Sequence, residues 1–381
     1  MAGTEFQILA INPGTTSTKI AVYANERAEL VRNLRHSDSE MACFRGRPIL
    51  DQTEFRLKVI GHALGEAAFE LTSAHAVAGR GGLLRPVASG TYRVNQEMLD
   101  ELYAAPYGEH ASNLGAVVAY MLAQRAGVEA YIVDPPSVDE WPDRARLSGW
   151  APLRRSPACH ALNHKAVAKR FAREYGQSYR ELRLIVVHAG TGVTLSAHED
   201  GRMIENNNTR EEGPFAMNRA GGVPLMQLVD LCFSGKYTRR QIENLLFSEG
   251  GVYSYLGTMD LIEVERRIDA GDAMAAQVYE AMVYQIVKEV GALGAVLAGR
   301  VDAILITGGM AHSQKLVAQL RAGIEWIAPV KLYPGEDELD ALATGVLRVL
   351  RGEEPVREFG GGSKAPEIIH RRSAMAASLA K

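Results

Sequence analysis

The chain begins with two apolar runs joined by a short polar turn. Ile8–Ile11 and Ile20–Tyr23 have the length and composition expected of buried β-strands. Between them, Asn12–Gly14 predicts a sharp turn, because proline restricts its own φ and glycine tolerates positive φ. Thr15–Thr18 then supply a row of hydroxyls and backbone N–H groups, and Lys19 adds a cation. Such a turn suits a phosphate, although an ordinary threonine-rich hairpin would show the same pattern.

The same device occurs twice more along the chain. Leu184–His188 is an apolar run that ends in the small residues 189–192, after which 193–198 resumes as a strand. Ala303–Thr307 is a third apolar run, and it is followed by Gly308, Gly309 and a helical pattern. Three strands that each end in a turn of small residues predict three walls of one nucleotide site.

The order of the elements predicts two related α/β halves. For the first half we predict strands near 7–12, 18–24, 29–35, 75–78 and 129–133, with helices at 53–71 and 110–126. For the second half we predict strands near 183–188, 192–197, 202–205, 302–307 and 329–333, with helices at 238–248, 260–270, 273–298, 313–323 and 337–351. Both halves open with a glycine-turned hairpin and continue as alternating helices and strands, which indicates a duplication with a cleft between the halves.

Composition narrows the class of protein. The 381 residues are 47% hydrophobic and 23% charged, as expected of a globular chain of about two domains. The net charge of −3 offers no basic surplus for binding nucleic acid. Cys43, Cys159 and Cys232 have no metal or redox spacing and are expected to be buried thiols in a reducing cytoplasm. Neither an export signal nor a membrane span is predicted, since the longest apolar helix, around Val290–Ala298, is too short.

Common nucleotide-binding motifs are absent from the sequence. Gly235-Lys236 is followed by Tyr237, so the chain has no G-x-x-x-x-G-K-[ST] loop at this point. Gly190-Thr191-Gly192 starts a G-x-G-x-x-G pattern, but Leu195 stands where its last glycine belongs. A nucleotide site would therefore be built from paired hairpins rather than from a helix N-terminus.

Six motifs together resemble a known family. NPGTTSTK, AVAGRGG, SPACHALNHK, HAGTG, NRAGG and ITGGMAHSQ occur in the order seen in butyrate kinases, across about residues 6–352. Those enzymes belong to the acetate kinase family, within the superfamily of acetate and sugar kinases, heat-shock chaperones and actin. The resemblance implies an α/β fold of duplicated actin-like, ribonuclease H-like domains that flank an ATP-binding cleft.

The resemblance also implies a domain division, a reaction and an assembly. Residues 1–155 plus 335–352 would form the N-terminal domain with a returning C-terminal helix. Residues 156–334 would form the nucleotide-binding second domain, and the glycine-rich composition predicts a mobile tail at 353–381. The implied reaction is reversible phosphoryl transfer from ATP to butyrate, giving butyryl phosphate and ADP, with Mg²⁺. A cytoplasmic homodimer coupled in function to a phosphate acyltransferase is also implied.

The chemistry of this transfer predicts clustered cations. A carboxylate is already a nucleophile at neutral pH, so the reaction requires positive charge rather than a general base. Arg80, within Gly79–Gly82, could grip the carboxylate in a bidentate contact, although a solvated loop arginine is the alternative. Acetate kinases place their substrate arginine before this strand, where Ala76 stands here. Arg80 is therefore assigned by its chemistry and not by a matched position.

Four further residues take roles from the resemblance. Arg219 matches the arginine that neutralises the transferring phosphoryl group, and His160 matches the histidine that donates a hydrogen bond to it. Asp134 matches an aspartate near substrate and metal, and Glu338 a metal-linked glutamate. The alternatives are a surface arginine, a structural histidine, an aspartate in a turn before proline, and a helix-capping glutamate. His164, four residues after His160, is expected to be structural support rather than part of a zinc site.

The remaining site predictions concern nucleotide and metal. Mg²⁺ is expected near Asn12 and Glu338. The residues expected to line the ATP site come from the three glycine-containing turns, and they are Asn12, Thr16, Lys19, His188, Gly190, Thr191, Gly192, Gly308, Gly309 and Met310. Thr191 departs from the family pattern, because butyrate kinases often have glycine there and acetate kinases have asparagine.

Other functions remain open at this stage. Acetate, propionate or a branched acid could replace butyrate, because one methylene contributes only about 1–3 kcal/mol in an apolar pocket. Residues 83–86 and 213–217 are candidates for lining that pocket. A sugar kinase, with Asp134 as its base, and a non-catalytic ATP switch are the more distant alternatives, and clustered arginines fit an anionic acceptor better.

Overall fold

Two mixed β-sheets organise the chain. The computed structural model describes residues 5–360. The strands are β1 Gln7–Pro13, β2 Ser17–Ala24, β3 Arg27–Arg35, β4 Ala76–Arg80, β5 Thr91–Arg93, β6 Glu129–Val133, β7 Leu184–Ala189, β8 Val193–Glu199, β9 Arg202–Asn206, β10 Ala303–Gly308, β11 Val330–Pro334 and β12 Arg357–Glu358. The helices are α1 Asp38–Ala42, α2 Thr53–Glu66, α3 Gln96–Ala104, α4 Asn113–Ala126, α5 Ala161–Glu174, α6 Leu225–Phe233, α7 Arg239–Phe247, α8 Gly251–Leu256, α9 Leu261–Asp269, α10 Ala273–Val296, α11 Gln314–Ile324 and α12 Glu338–Leu350.

The two sheets repeat one topology. The first has the order β12-β5-β6-β4-β1-β2-β3, and the second has the order β11-β10-β7-β8-β9. In each, an antiparallel hairpin is followed by a third antiparallel strand, and two parallel strands lie on the other side of the first strand. The predicted α/β duplication is therefore confirmed at the level of strand pairing.

Helices cover both faces of each sheet. One face of the first sheet packs on α2 and α4, and the other packs on α12 through Leu342 and Val346. The second sheet packs on α10 and α11 on one face and on α5 on the other. The strands that carry the glycine turns, such as β1 and β7, are buried along almost their whole length. Because these strands are held in the core, the glycine turns that follow them have fixed positions.

Several predicted boundaries differ from the structure. The prediction had no counterpart for strands β5 and β12 or for helices α1, α3, α5, α6 and α8. The helix predicted at 53–71 ends at Glu66. Ala68, just beyond it, has a positive φ of 51°, which stops the helix. Of the three cysteines, only Cys159 is buried, so the expectation of buried thiols is wrong for Cys43 and Cys232.

The segment after α12 returns to the first sheet. Arg357 and Glu358 pair in parallel with β5, and the side chain of Phe359 is 3% exposed within the core of the first sheet. Residues 353–360 of the predicted mobile tail are thus packed, because a single aromatic side chain anchors them. Residues 361–381 lie outside the described part of the chain. The proposed division into domains stays a prediction.

No helix in residues 5–360 combines the length and apolar character needed to cross a bilayer.

Candidate active site

Strand β4 ends in Arg80 because the glycines around it admit close packing. A Cβ on Gly79 would lie 2.1 Å from the carbonyl oxygen of Gly115 in α4, so only glycine lets this helix approach. Gly81 and Gly82 face similar obstacles, with a Cβ 2.5 Å from Pro135 and 2.7 Å from Asn113. The glycines therefore position the arginine by allowing α4 and the following loop to pack against the strand.

Arg80, Asn12 and Glu338 form one polar cluster. The Nη1 group of Arg80 donates to Glu338 Oε2 at 2.7 Å and lies 3.5 Å from Asn12 Oδ1. Asn12 Nδ2 also donates to Glu338 Oε2. The Glu338 side chain is 3% exposed, and α12 begins with this residue. The predicted metal-linked glutamate is thus held by the predicted substrate arginine, and its carboxylate does not cap the helix.

The second sheet contributes two stacked histidines. The rings of His160, at the start of α5, and His188, near the end of β7, stack with centroids 4.1 Å apart. His188 Nδ1 contacts Asn163 Oδ1 at 2.9 Å, and its Nε2 lies 3.4 Å from Glu336. Burial, together with His188, Arg80 and Arg219, holds the pKa of His160 well below its ordinary value. His160 is therefore a neutral imidazole at physiological pH, suited to hydrogen bonding.

Arg219 faces the same cleft from the loop before α6. Its Nη1 donates to the hydroxyl of Thr209, which is a neutral partner. A Cβ on Gly192 would lie 2.9 Å from that Nη1 group, so glycine in the β7–β8 turn makes room for the guanidinium. Among residues 5–360 the ion pairs include none to Arg219. A half-buried guanidinium without a carboxylate partner can bind an anion at little cost in lost contacts.

Glu336 links the walls of the cleft. It lies in the loop that leads from β11 of the second sheet to α12 of the first. Hydrogen bonding to His188, with the charges of Lys19 and Arg80, lowers its pKa to about 2. Lys19 belongs to the β1–β2 hairpin and His188 to the β7–β8 hairpin. Because both act on the Glu336 carboxylate, the two hairpin turns lie near one another. In the sequence, Glu336 is one of several adjacent acidic residues, and nothing there distinguishes it from the others.

The backbone is tightly packed at the ends of β7 and β10, where adenosine is expected. Gly308 has a φ of 92°, and a Cβ there would lie 2.3 Å from the Ala189 carbonyl oxygen. Gly308 and Gly335 exchange two backbone hydrogen bonds, both 3.0 Å long. The ends of β7 and β10 therefore abut, as the sequence predicts. Of the other expected nucleotide residues, Met310 is buried in the core of the second sheet, whereas Thr16, Thr191 and Gly309 are exposed.

Asp134 has different partners from the other predicted catalytic residues. Its Oδ1 accepts hydrogen bonds from Ser89 Oγ at 2.6 Å and from the Gly90 N–H at 2.8 Å. The residue is 2% exposed and has a positive φ of 38°, a strained conformation for a non-glycine residue. These contacts tie the end of β6 to the 88–90 loop. The catalytic role of Asp134 stays a prediction.

Two residues near the cleft were missed by sequence reasoning. His110 is an exposed residue just before α4, and desolvation with the charges of Arg80, Arg219 and Arg210 lowers its pKa. Arg56, in α2, is fully buried and donates to carbonyl oxygens of the β1–β2 turn. Its only sequence signal is a cation on the apolar face of a helix. That signal is easily taken for a solvated side chain.

The donor set fits a nucleotide-borne magnesium ion. Among residues 5–360, no three His, Cys, Asp or Glu side chains converge as a self-contained metal site. Mg²⁺ that arrives with ATP keeps water and phosphate oxygens as ligands and requires only one or two protein groups. The Glu338 carboxylate, which accepts from Asn12 Nδ2, and the Asn12 amide oxygen, which lies 3.5 Å from Arg80 Nη1, can supply them.

A curated relative decides the family. Butyrate kinase 1 of Clostridium acetobutylicum is 49% identical over 355 residues, which are 93% of this chain and 99% of that protein. The chain belongs to the acetokinase family. A sequence model of the acetokinase family also matches residues 152–327, which include His160, His188 and Arg219. The resemblance drawn from the six motifs is therefore confirmed.

Solved structures of acetokinase relatives share the fold. The acetate kinase of Porphyromonas gingivalis superposes with a TM-score of 0.72 at 20% identity, covering 91% of this chain and 100% of that one. A propionate kinase from Francisella tularensis gives a TM-score of 0.68 at 17% identity, covering 89% and 98% of the two chains. The predicted actin-like architecture of this chain is confirmed by these likenesses.

Proposed function

We propose that this protein is a short-chain carboxylate kinase that reversibly transfers the γ-phosphoryl group of ATP to butyrate. One observation carries the proposal: two arginines and a neutral imidazole converge on one cleft. The charges of Arg80 and Arg219 both act on His160, which places all three within one electrostatic neighbourhood. The family membership and the butyrate kinase relative support the same reaction.

In the proposed reaction each residue has a separate task. Arg80 holds the butyrate carboxylate, and its ion pair to Glu338 through Nη1 fixes the orientation of the guanidinium. Arg219 neutralises charge on the equatorial oxygens of the transferring group, and His160 donates a hydrogen bond to one of them. A carboxylate oxygen forms the new bond to phosphorus while the bond to the β,γ-bridging oxygen breaks, and ADP leaves with the electron pair.

The nucleotide and its metal are held by the three turns. Asn12 and Glu338 are the proposed ligands of Mg²⁺, which when bound would neutralise the phosphate oxygens of ATP. The turns of the β1–β2 and β7–β8 hairpins, with Lys19, are proposed to hold the phosphates. The glycines at 308 and 309 are proposed to border the adenosine. Asp134 is proposed to act near the substrate, as the family resemblance implies.

The proposed assembly and setting follow from the surface and the reaction. Large apolar side chains on α6 are exposed, including Leu225 at 76%, Met226 at 72% and Phe233 at 85%. We propose that they contribute to a homodimer, which sedimentation of the wild type and Phe233→Asp would test. We propose a cytoplasmic setting, which the ATP requirement of the proposed reaction supports. A phosphate acyltransferase is the proposed enzyme that exchanges acyl phosphate with it.

The test traps acyl phosphate with hydroxylamine across straight and branched acids of two to six carbons. We expect the signal to peak at four carbons, and a peak elsewhere would move the substrate while keeping the mechanism. Replacing Arg219 by Ala should lower kcat by about 10³- to 10⁵-fold, as removal of an arginine finger does. Arg239→Ala, at an exposed arginine of α7, is the control. No product from any acid, despite ATP binding, would favour a sugar kinase or a non-catalytic switch.

A further inference from the structure

A chain of hydrogen bonds leads away from the cleft through the second sheet. It alternates imidazoles and hydroxyls, and its four inner members are completely buried. The contacts are His160 Nδ1 to Thr194 Oγ1 at 3.0 Å, Thr194 Oγ1 to His164 Nε2 at 2.8 Å, His164 Nδ1 to Ser196 Oγ at 2.5 Å, Ser196 Oγ to His198 Nε2 at 2.6 Å, and His198 Nδ1 to Tyr179 Oη at 2.7 Å. Each member from Tyr179 to Thr194 therefore has a hydrogen bond to the next member toward the cleft.

Two regular elements build this arrangement. Thr194, Ser196 and His198 alternate along β8, so their side chains point to the same face of the sheet. His160 and His164 lie one turn apart at the start of α5, which packs on that face. The helix therefore inserts its imidazoles between the hydroxyls of the strand.

The direction of the protons in the chain is constrained by burial. Burial keeps the pKa of His160, His164 and His198 well below the ordinary value, so each imidazole has one N–H and one lone pair. Thr194 and Ser196 each have a single hydroxyl proton. A hydroxyl oxygen can accept two hydrogen bonds, so the direction can reverse at Thr194 or Ser196 only by leaving that hydroxyl proton without an acceptor, which is costly for a fully buried group. The links therefore favour one common direction.

The outer end of the chain selects the direction. Burial raises the pKa of Tyr179 well above its ordinary value, so the phenol keeps its proton. Within residues 5–360 its hydroxyl contacts His198 Nδ1, while its ring lies 5.4 Å from the ammonium of Lys165, which can accept no hydrogen bond. The phenolic proton is therefore donated to His198, and reversal would need water to accept it at the partly exposed tyrosine.

We propose that this chain holds His160 in the tautomer with its proton on Nε2, so that an N–H faces the transferring phosphoryl group. Following the chain inward, Thr194 donates to His160 Nδ1, which leaves Nε2 as the donor. Thr194, His164, Ser196, His198 and Tyr179 are then positioning residues. The inference rests on the proposed function for its purpose, because carboxylate attack moves no proton and needs only a fixed donor.

The direct test is the tautomer itself, measured without substrate. Two-bond ¹H–¹⁵N correlation spectra of the deuterated, ¹⁵N-histidine-labelled protein distinguish protonated from unprotonated ring nitrogens. We expect His160, His164 and His198 to have protons on Nε2 only. His188 is the internal contrast. Its Nδ1 lies 2.9 Å from the amide oxygen of Asn163, which can only accept, so we expect a proton on Nδ1 there. A His160 proton on Nδ1, or on both nitrogens, would overturn the proposal whether or not the protein phosphorylates butyrate.

A pair of matched variants tests the consequence for catalysis. Thr194→Val removes one link, and we expect kcat to fall about tenfold or more while the KM for ATP stays within about twofold. Thr194→Ser retains the hydroxyl and should preserve kcat. An unchanged kcat in folded Thr194→Val would contradict a positioning role.

A second pair of variants tests the outer end of the hydrogen-bonded chain, away from the cleft. Tyr179→Phe removes the terminal donor, and we expect a mixture of His160 tautomers with a smaller fall in kcat. Tyr333→Phe, which loses a comparable 2.7 Å hydrogen bond to Glu174, is the control and should change neither. Loss of thermal stability alone in Tyr179→Phe, with a single Nε2–H tautomer and unchanged kcat, would show that the tyrosine is merely structural.

Discussion

Replacing Arg56 by Met should destabilise the protein and weaken ATP binding together. The Arg56 side chain is fully buried, and its Nη1 donates to Ser17 O at 2.9 Å and to Thr18 Oγ1 at 2.8 Å. Its Nη2 donates to Gly14 O at 3.0 Å and to Gln52 Oε1 at 2.7 Å. Desolvation lowers its pKa to about 10, which still leaves it charged at neutral pH. Arg56 therefore organises the carbonyl groups of the proposed phosphate turn from behind.

The magnitude follows from the acceptors that Met would leave behind. Gln52 Oε1 is buried and would lose both of its hydrogen bonds from the charged Arg56, whereas Thr18 Oγ1 keeps its 3.0 Å contact with His36 Nε2. One such unsatisfied group costs about 1–3 kcal/mol. The carbonyls of Gly14 and Ser17 lie near the surface and can be solvated, so they add less. The turn would also lose the support that aims its N–H groups at phosphate.

The assay combines urea unfolding with ATP saturation kinetics. We expect Arg56→Met to lose about 1–3 kcal/mol of unfolding free energy and to raise the KM for ATP more than that for butyrate. Arg47→Met is the matched control, because Arg47 is exposed and its side chain makes only a surface ion pair with Asp51 among the ion pairs of residues 5–360. A variant of Arg56 with wild-type stability and KM would refute the view that this side chain shapes the phosphate turn.

Three further predictions test the packing of the site. Gly308→Ala should cost about 1–3 kcal/mol through its backbone conformation, and more because the Cβ overlaps Ala189 O, so thermal stability and ATP affinity both fall. The wild type should be more stable than Glu336→Gln above pH 4.5, and this difference should shrink as the pH falls toward 2, because folding depresses the pKa of Glu336. Urea unfolding of both proteins between pH 2 and 4.5 measures the difference. Phe359→Ala should cost about 3–5 kcal/mol in unfolding free energy.

Each of these has its own control. Gly309→Ala places a Cβ where nothing lies within 4 Å, and equal losses at both glycines would argue against the overlap. For Glu336, a wild-type advantage that stays constant down to pH 2 would contradict the depressed pKa. Tyr284→Ala, at an aromatic residue of α10 that is 67% exposed, should leave stability nearly unchanged. A similar value for Phe359→Ala would show that the 353–360 segment is only loosely attached.

The local features of this protein were readable from the sequence. Continuous apolar runs such as Leu184–Val187 predict buried strands because every residue of a doubly covered strand faces a helix layer. Glycines at the strand ends predict tight turns, and six ordered motifs identified the family. These signals concern neighbours along the chain, which is why strands β1, β7 and β10 were placed correctly within a residue or two.

Partnerships between distant residues were decided by the tertiary structure. Arg80 and Glu338 are 258 positions apart, and only the crossover of α12 onto the first sheet brings them together. The sequence could name both, but it assigned them separate tasks. The burial of Arg56, the packing of Phe359 and the role of Glu336 between two hairpins are equally invisible to periodicity.

The histidines show the same division most clearly. The four-residue spacing of His160 and His164 puts them on one face if the segment is helical, and the alternation of Thr194, Ser196 and His198 puts them on one face of a strand, because 3.6- and 2-residue periods are local properties. That the segment after His160 is a helix, and that its docking on β8 joins the two faces in one hydrogen-bonded chain, was decided by the tertiary structure. That docking arises from burial of apolar residues such as Val167 and Phe171 against the second sheet.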